Sequence, residues 1–356
     1  MSTRRFPVLK LTHVIFGNVL RFCSIEELYF LSKLSRRTKC AIQQVLFRAE
    51  EVHLNIEHDS SSLRVKLQND CEIEWKYGEG FSGSHTFGNV LESVWNDGNC
   101  DPKLKMAEVF RQMKELFRIE QITTLAICFN EANPSLQENP VLREIGTCQK
   151  VDIFLGKGIK TDDLEFFFSN VRIEDEFRIH ANLSVFYTYF KPFSVAKTVI
   201  FGSGWNVHDR LQHRTLINAN RVLFDKGLRP AYGFQNLFRV WKEGLLPNLQ
   251  IIEHDGYSGN FQFLENVLRG LDAQTWDLEQ ENTLNMINFF NYAKLRKFPA
   301  DSLQFQNAKD IIRTSDGVKA SIIPATTLAH PDEFIFVVWS DWIPEEYRRV
   351  SNFSRV

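Results

Sequence analysis

The chain has 356 residues, with 42 Lys and Arg against 44 Asp and Glu and a formal charge of −2 at neutral pH. So even a balance excludes a global attraction to nucleic acid or to an anionic membrane, and leaves partner choice to local surface. The length suggests a small module with a larger domain, the latter long enough to bury a sizeable core.

Residues 1–48 read as three short helices. The first, from about Val14 to Phe22 with Leu11 ahead of it, carries Val14, Ile15, Phe16, Val19, Leu20 and Phe22. Apolar groups therefore sit on nearly every side of it and not in one stripe. Gly17 within it costs about 1 kcal/mol against Ala. Ser24 is placed to cap the second helix, Glu27 completes a capping box, and Leu28, Leu31 and Leu34 follow at helical spacing. Ser35 can cap the third, whose inward face is expected at Ile42, Val45, Leu46 and Ala49. A unit of about 40 residues seldom hides that much apolar surface alone. The surplus predicts docking, onto the rest of the chain or onto another protein.

Residues 49–120 open with three alternating runs, Val52 to Ile56, Leu63 to Leu67 and Ile73 to Tyr77, separated by turn-forming Asp59-Ser60-Ser61-Ser62 and Asn69-Asp70. They predict a half-exposed antiparallel meander. A glycine-rich loop from Gly78 to Gly88 follows, then helical pattern over Val90 to Trp95 and Leu104 to Phe117.

From Ile122 onward, over residues 121–356, a longer rhythm sets in. Apolar triplets recur as Leu125-x-Ile127-x-Phe129, Val151-x-Ile153-x-Leu155, Phe177-x-Ile179, Val199-x-Phe201, Val222-x-Phe224 and Leu249-x-Ile251, their first members 26, 26, 22, 23 and 27 residues apart. Helical spacing lies between some of them, in Leu164, Phe167, Phe168, Val171 and in Phe234, Leu237, Phe238, Trp241, the latter stopped by Gly244 and Pro247. The interval fits a leucine-rich-repeat-like strand and helix solenoid, in an α/β chain; an ordinary doubly wound sheet is the alternative. Near the end, Asp316-Gly317 signals a two-residue hairpin between Ile311 to Ser315 and Val318 to Ile322, and Phe334 to Trp339 supplies a third strand. A polar-faced antiparallel β cap of this kind would protect the edge of an open stack.

Two stretches resemble known families. Phe6-Pro7-Val8-Leu9-Lys10-Leu11, Val14-Ile15, Val19-Leu20, Glu27-Leu28, Leu31-Ser32 and Ser35-Arg36-Arg37 resemble the F-box of the nematode-type F-box proteins. Thr12, Asn18 and Ile25 stand where that family usually has Pro, Glu and Pro. Trp241-Lys242-Glu243-Gly244, Leu246-Pro247-Asn248-Leu249, Asp310 to Arg313, Asp316 to Ala320 and the aromatic strand ending in Trp339 resemble the F-box associated domain of type 2. The first resemblance implies binding of a Skp-type adaptor and, through it, a cullin, by Pro7, Leu9, Leu11, Val14, Ile15, Val19, Leu20, Leu28 and Leu31. The second implies a domain that holds a target protein.

Chemistry is sparse by comparison. Gly78-Glu-Gly80-Phe-Ser-Gly83 satisfies G-x-G-x-x-G, but no kinase lysine strand or catalytic loop follows, and a plain loop is the simpler reading. The histidine pairs His53/His58 and His208/His213 are spaced by five, which points the side chains apart on a helix and to opposite faces of a strand. Asp162, Asp163 and Glu165 follow Thr161 where a helix start favours acids. Six cysteines, at 23, 40, 71, 100, 128 and 148, form no C-x-x-C and fit reduced thiols of the cytoplasm or nucleus. The basic knot Arg36, Arg37, Lys39 reads as a solvated helix face.

The expectation is thus a non-catalytic substrate-recognition adaptor of a Skp-cullin-F-box type ubiquitin ligase, with no cofactor and no metal. The alternatives are an interaction scaffold outside ubiquitin transfer and a nucleotide-dependent enzyme using Gly78 to Gly83. Trp205, Tyr232 and Tyr257, just past expected strands or at a helix start, are the candidate target-binding residues.

Overall fold

The structure is a computed structural model describing residues 13–57, 60–68, 71–78, 85–87, 90–94, 102–129, 135–155, 160–181, 196–202, 216–225, 231–255, 263–275, 283–296, 302–325, 333–341 and 343. They fall into two compact units, one from 1–152 with 165–172, the other from 153–164 with 173–356.

The first unit begins with α1 (His13–Leu20), α2 (Ile25–Leu34) and α3 (Arg36–Val45). The capping box forms as its residues dictate: Ser24 Oγ accepts the Glu27 N–H at 3.1 Å and the Glu27 carboxylate accepts the Ser24 N–H at 2.7 Å. Ser35 Oγ caps α3 by accepting the Thr38 N–H at 3.1 Å. The inward face of α3 differs from the expected one. Leu46 takes a left-handed φ of 59°, ends the helix and turns the chain into β1 (Ala49–Ile56). Ala49 therefore opens a strand, Leu46 points to solvent, and the buried face of α3 is Thr38, Ala41 and Ile42.

The expected meander forms from β1, β2 (Ser60–Leu67) and β3 (Glu72–Gly78), paired antiparallel in that order. Strand alternation puts Leu54, Leu63 and Trp75 in one row and Val52, Val65 and Ile73 in the next, all buried. On the opposite face Arg64 pairs with Glu72, Lys66 stands 3.7 Å from Glu50, and Lys76 stands 3.8 Å from Glu74. Two short strands, β4 (His85–Phe87) and β5 (Val90–Val94), complete that side. The helix expected at Val90 to Trp95 is thus a strand over its described part: β5 pairs parallel with β3, Leu91 opposite Ile73. Val90, Leu91 and Val94 suit either period, and the open edge of β3 decides for strand.

The helix expected over Leu104 to Phe117 is α4 (Pro102–Phe117), which buries Met106, Phe110, Met113 and Phe117 against β2 and β3. Strand β6 (Ile122–Phe129) lies parallel to β1, with Leu54 opposite Leu125. A short helix α5 (Leu142–Ile145) leads into β7 (Gly146–Leu155), giving the order β7-β6-β1-β2-β3-β5-β4. Strand β7 and α6 (Thr161–Asn170) are each divided between the units, at 152 and 164. Asp163 accepts the Lys160 N–H at 3.1 Å, which is the capping role read for the acids there. Val171, read as a helix-face residue, instead opens β8 (Val171–Ala181).

The second unit holds β8 from Ile173, β9 (Thr198–Phe201), β10 (Arg221–Phe224), α7 (Ala231–Lys242), β11 (Ile251–His254), α8 (Phe263–Leu268), β12 (Gln274–Thr275), α9 (Thr283–Tyr292), β13 (Lys309–Ile312), β14 (Lys319–Pro324) and β15 (Phe334–Trp339). Strands β8 to β11 are parallel, β15 joins β11 antiparallel, and β14, β13 and β12 continue to the rim. The apolar triplets are the strands, except that Leu249 precedes β11. Two in-register rows result, Phe177-Val199-Val222-Ile252-Phe336 and Ile179-Phe201-Phe224-His254-Phe334.

Helix α7 lies over these rows through Phe234, Leu237, Phe238 and Trp241, with the Phe238 ring 4.7 Å from Phe336 and the Phe234 ring 5.0 Å from Phe224. It ends, as read, at Gly244, which takes φ +82°. On the other face Ile251, Ile335, Val337 and Trp339 pack with Phe289 and Phe290 of α9 and with Phe305. A polar-faced cap is therefore not what β14 and β15 form. All six residues of β15 are buried, because helices lie on both sides of it. The hairpin at Asp316-Gly317 is also longer than expected: the Arg313 N–H donates to Val318 O at 2.8 Å, leaving a four-residue turn from Thr314 to Gly317, with Gly317 at φ +74°. Mixed α/β architecture with a large sheet and amino-terminal helices is the class the molecule realises.

Candidate interaction surface

Helix α1 is short and apolar all round, so its two sides divide the labour. Phe16 and Leu20 are buried, and Gly17 faces Val45 of α3. Ile15 and Val19, spaced i, i+4, form the other side, and with Phe22 in the turn after the helix they are 50%, 40% and 91% exposed. Helix α2 divides likewise: Ile25, Leu28 and Tyr29 face inward, while Phe30 and Leu34 are exposed at 40% and 75%.

Within the first unit, Tyr29 ties these helices to β3 and α4. Its ring lies 6.1 Å from Trp75 of β3, and the Lys33 ammonium, 3.8 Å from Glu108 of α4, stands over it at 4.4 Å. Burial, then the charge of Glu108, pushes the Tyr29 phenol up to about 12, and its hydroxyl has no hydrogen-bond partner among the described residues. A second tie is the pairing of Lys39 with Glu115 of α4, beside the amide of Gln43 on the Glu115 carbonyl at 3.2 Å. Of the basic knot, Arg36 and Arg37 are exposed and Lys39 is engaged.

The nine residues expected to meet an adaptor are therefore separated. Ile15 and Val19 are exposed, Leu31 is half-buried, and Leu20 and Leu28 are sealed inside the unit. Val14 lies within α1, and Pro7, Leu9 and Leu11 lie outside the described residues. Phe22, Phe30, Leu34 and Leu46, which the reading of the sequence did not select as partner contacts, belong to the exposed set. Their signal was present in helices that are apolar on too many sides for one core.

In the second unit Trp205, four residues past the end of β9, and Tyr257, three past β11, fall beyond carboxyl ends of parallel strands and outside the described residues; Tyr232 is in the first turn of α7. The carboxyl ends of a parallel sheet are where such folds place ligands. There the described residues include Phe154, whose ring stacks on His180 at 4.0 Å, and Gly202, packed directly against that imidazole.

Buried charge in the second unit has a structural task. Glu253 of β11, with no exposed side-chain surface, stands 3.3 Å from Arg221 of β10 and accepts the Arg296 N–H at 2.8 Å. Arg221 also donates to the Ala293 carbonyl at 2.8 Å, which ties the end of α9 to the sheet. Burial holds the Arg221 guanidinium below its usual range.

Among the described residues no three of His, Cys, Asp and Glu group closely enough to hold a metal ion, and no helix is long and apolar enough to cross a membrane. His53 is 3.2 Å from Glu51, and His58, His208 and His213 lie outside the described residues. Gly78 closes β3, and the rest of the glycine run to Gly83 lies outside them too. Comparison of the chain with models of protein families, with curated proteins and with solved structures finds no match.

Proposed function

We propose that the chain is the substrate-recognition adaptor of a Skp-cullin-F-box type ubiquitin ligase, binding a Skp-type adaptor through α1 and α2 and a target protein through residues 121–356. In this reading those residues form a leucine-rich-repeat-like domain. The observation that carries it is the pair Ile15 and Val19 on α1 with Phe22 in the turn that follows, exposed although the opposite side of the same helix is well packed. Exposed apolar groups grouped in this way are a docking surface more often than an accident. The chain then needs no catalytic group of its own. Holding target lysines near a charged conjugating enzyme replaces a bimolecular search by a local one.

The test is co-purification with a Skp-type adaptor. The pair is expected to elute together, and Ile15→Asp with Val19→Asp to separate it, with a loss of more than about 2 kcal/mol of binding. Both side chains are exposed, so the melting temperature should stay within a few degrees. Two separate species from the unaltered chain would end this reading.

The packing of Tyr29 on Trp75 favours a second reading, an interaction scaffold in which the helices cover the first unit's sheet. A truncation starting at Glu50 separates the two: an insoluble remainder supports covering, a folded one supports a detachable module.

A further inference from the structure

A cavity of about 370 Å³ lies at the rim of the second unit's sheet, between the end of α7 and the turn joining β13 to β14. Lys242, Asp272, Gln274, Ile312, Arg313 and Thr314 line it. Its size is within the range of ligand sites. Two cations converge there. Lys242 donates to the Leu271 carbonyl at 2.9 Å and to Asp272 at 2.8 Å, which leaves one of its three ammonium donors. Arg313, nine-tenths buried, clamps Asp316 through Nε at 2.8 Å and Nη2 at 2.6 Å, and its Nη1 has no hydrogen-bond partner among the described residues. The Trp241 ring, 5.4 Å away, holds the guanidinium in place.

The carboxylates that meet these cations belong to the rim. Asp272 is 88% exposed, so its pairing can be exchanged for another anion at little cost, whereas Asp316, 45% exposed, is held by the two-point clamp of buried Arg313 and stays in place. The hydrogen bond from Lys242 holds Asp272, and that from Arg313 holds Asp316, below the usual carboxylate range, which is the field an incoming oxyanion would meet. Beside the cations, Ile312 offers exposed aliphatic surface. Strand β12 pairs only with Lys309 and Asp310, so among the described residues no strand covers the edge of β13 at Ile311 and Ile312. That edge and its flanking cations suit an extended chain that carries acids.

We infer that this cavity receives an oxyanion, carboxylate or phosphate, presented by an extended acidic peptide segment, with Lys242 and Arg313 as its cationic contacts and Asp272 as the internal group it displaces. The inference rests on the proposed function only in assigning that segment to the target.

The test is fluorescence anisotropy of the full-length chain, without any adaptor, titrated into a labelled oligoglutamate peptide, its oligoglutamine counterpart, and a glutamine peptide bearing one phosphoserine. Saturable binding of an acidic peptide and none of oligoglutamine is expected. Lys242→Gln should weaken it roughly tenfold and Lys242→Arg should retain it. Asp272→Asn should tighten it severalfold, while Glu265→Gln, an equal charge change at an exposed position of α8, should not. Melting curves confirm that each variant is folded. A preference for oligoglutamate names carboxylate as the group bound, and a preference for phosphoserine names phosphate; either supports the site. Equal affinity for oligoglutamine, or binding of the acidic peptides indifferent to Lys242→Gln and Asp272→Asn, overturns it. Because no adaptor is present, failure here leaves the adaptor reading standing, and failure of co-purification leaves this result readable.

Discussion

Strands β1, β2 and β3 of the first unit turn one face to a core and the other to water, whereas β9, β11 and β15 of the second are buried on both faces. The residues follow suit. In β2, Leu63, Val65 and Leu67 alternate with Arg64 and Lys66, which pair with acids on the outer face. In β15, Phe334 to Trp339 holds no polar position, because α7 covers alternate side chains and α9 the others. The lesson concerns covering: a strand with helices on both sides must be apolar throughout, while one with a single cover keeps half of its positions free.

The largest expected effect breaks this comparison if it is wrong. In β15, Phe336→Asp and Val337→Asp should each cost more than about 4 kcal/mol, enough to unfold the unit, although their side chains point to opposite faces. In β2, Val65→Asp should do the same, while its neighbour Arg64→Ser costs about 1 kcal/mol or less. Chemical denaturation followed by circular dichroism gives the ranking, and equal losses at Arg64 and Val337 would refute the two-face account.

A middle-sized effect sharpens it at the carboxyl end of β9. A Cβ on buried Gly202 would overlap the His180 ring, itself stacked on Phe154. Gly202→Ala should destabilise by about 1–3 kcal/mol. Adding His180→Ala should recover part of that, so that the double variant is less impaired than the two singles summed. Simple additivity in a thermal melt would show that the crowding is not what matters.

The smallest effect is a pH dependence at the rim. Burial raises the Asp310 carboxyl above its usual range, against opposing hydrogen bonding from Ser321 and the charge of Lys319. A carboxyl raised on folding contributes stability that is fully present below its unfolded pKa and lost as pH rises through the folded value. Asp310→Asn should therefore be at least as stable as the parent at pH 7.5, with the difference shrinking as pH falls through that window. Denaturation midpoints at pH 7.5 and at pH 4 check the sign, and a variant weaker at pH 7.5 would contradict it.

Much of the fold was legible where a local group decides the outcome. The Ser24 and Glu27 box, the Ser35 cap, the alternation of β1 to β3 and the face Phe234, Leu237, Phe238, Trp241 are set by neighbours a few residues away. The misreadings share a different cause. Val90 to Val94 satisfies either period and follows the edge of β3, and the helix face through Leu46 to Ala49 ends because one residue turns left-handed. Of the candidate surface, composition revealed the excess of apolar groups on α1 and α2 but not their sorting. Leu20 turns inward and Val19 outward through packing against α3, which one helix cannot specify alone.

The brevity of β12 has a bearing on how copies of this protein behave at high concentration. Strand β12, Gln274–Thr275 among the described residues, offers a neighbouring molecule little ladder of its own and leaves Ile311 and Ile312 of β13 as a short stretch that only a brief segment can fill. Lengthening β12 with β-branched residues at Asp272 and Ala273 would cover that stretch and present a longer outer ladder to a second copy.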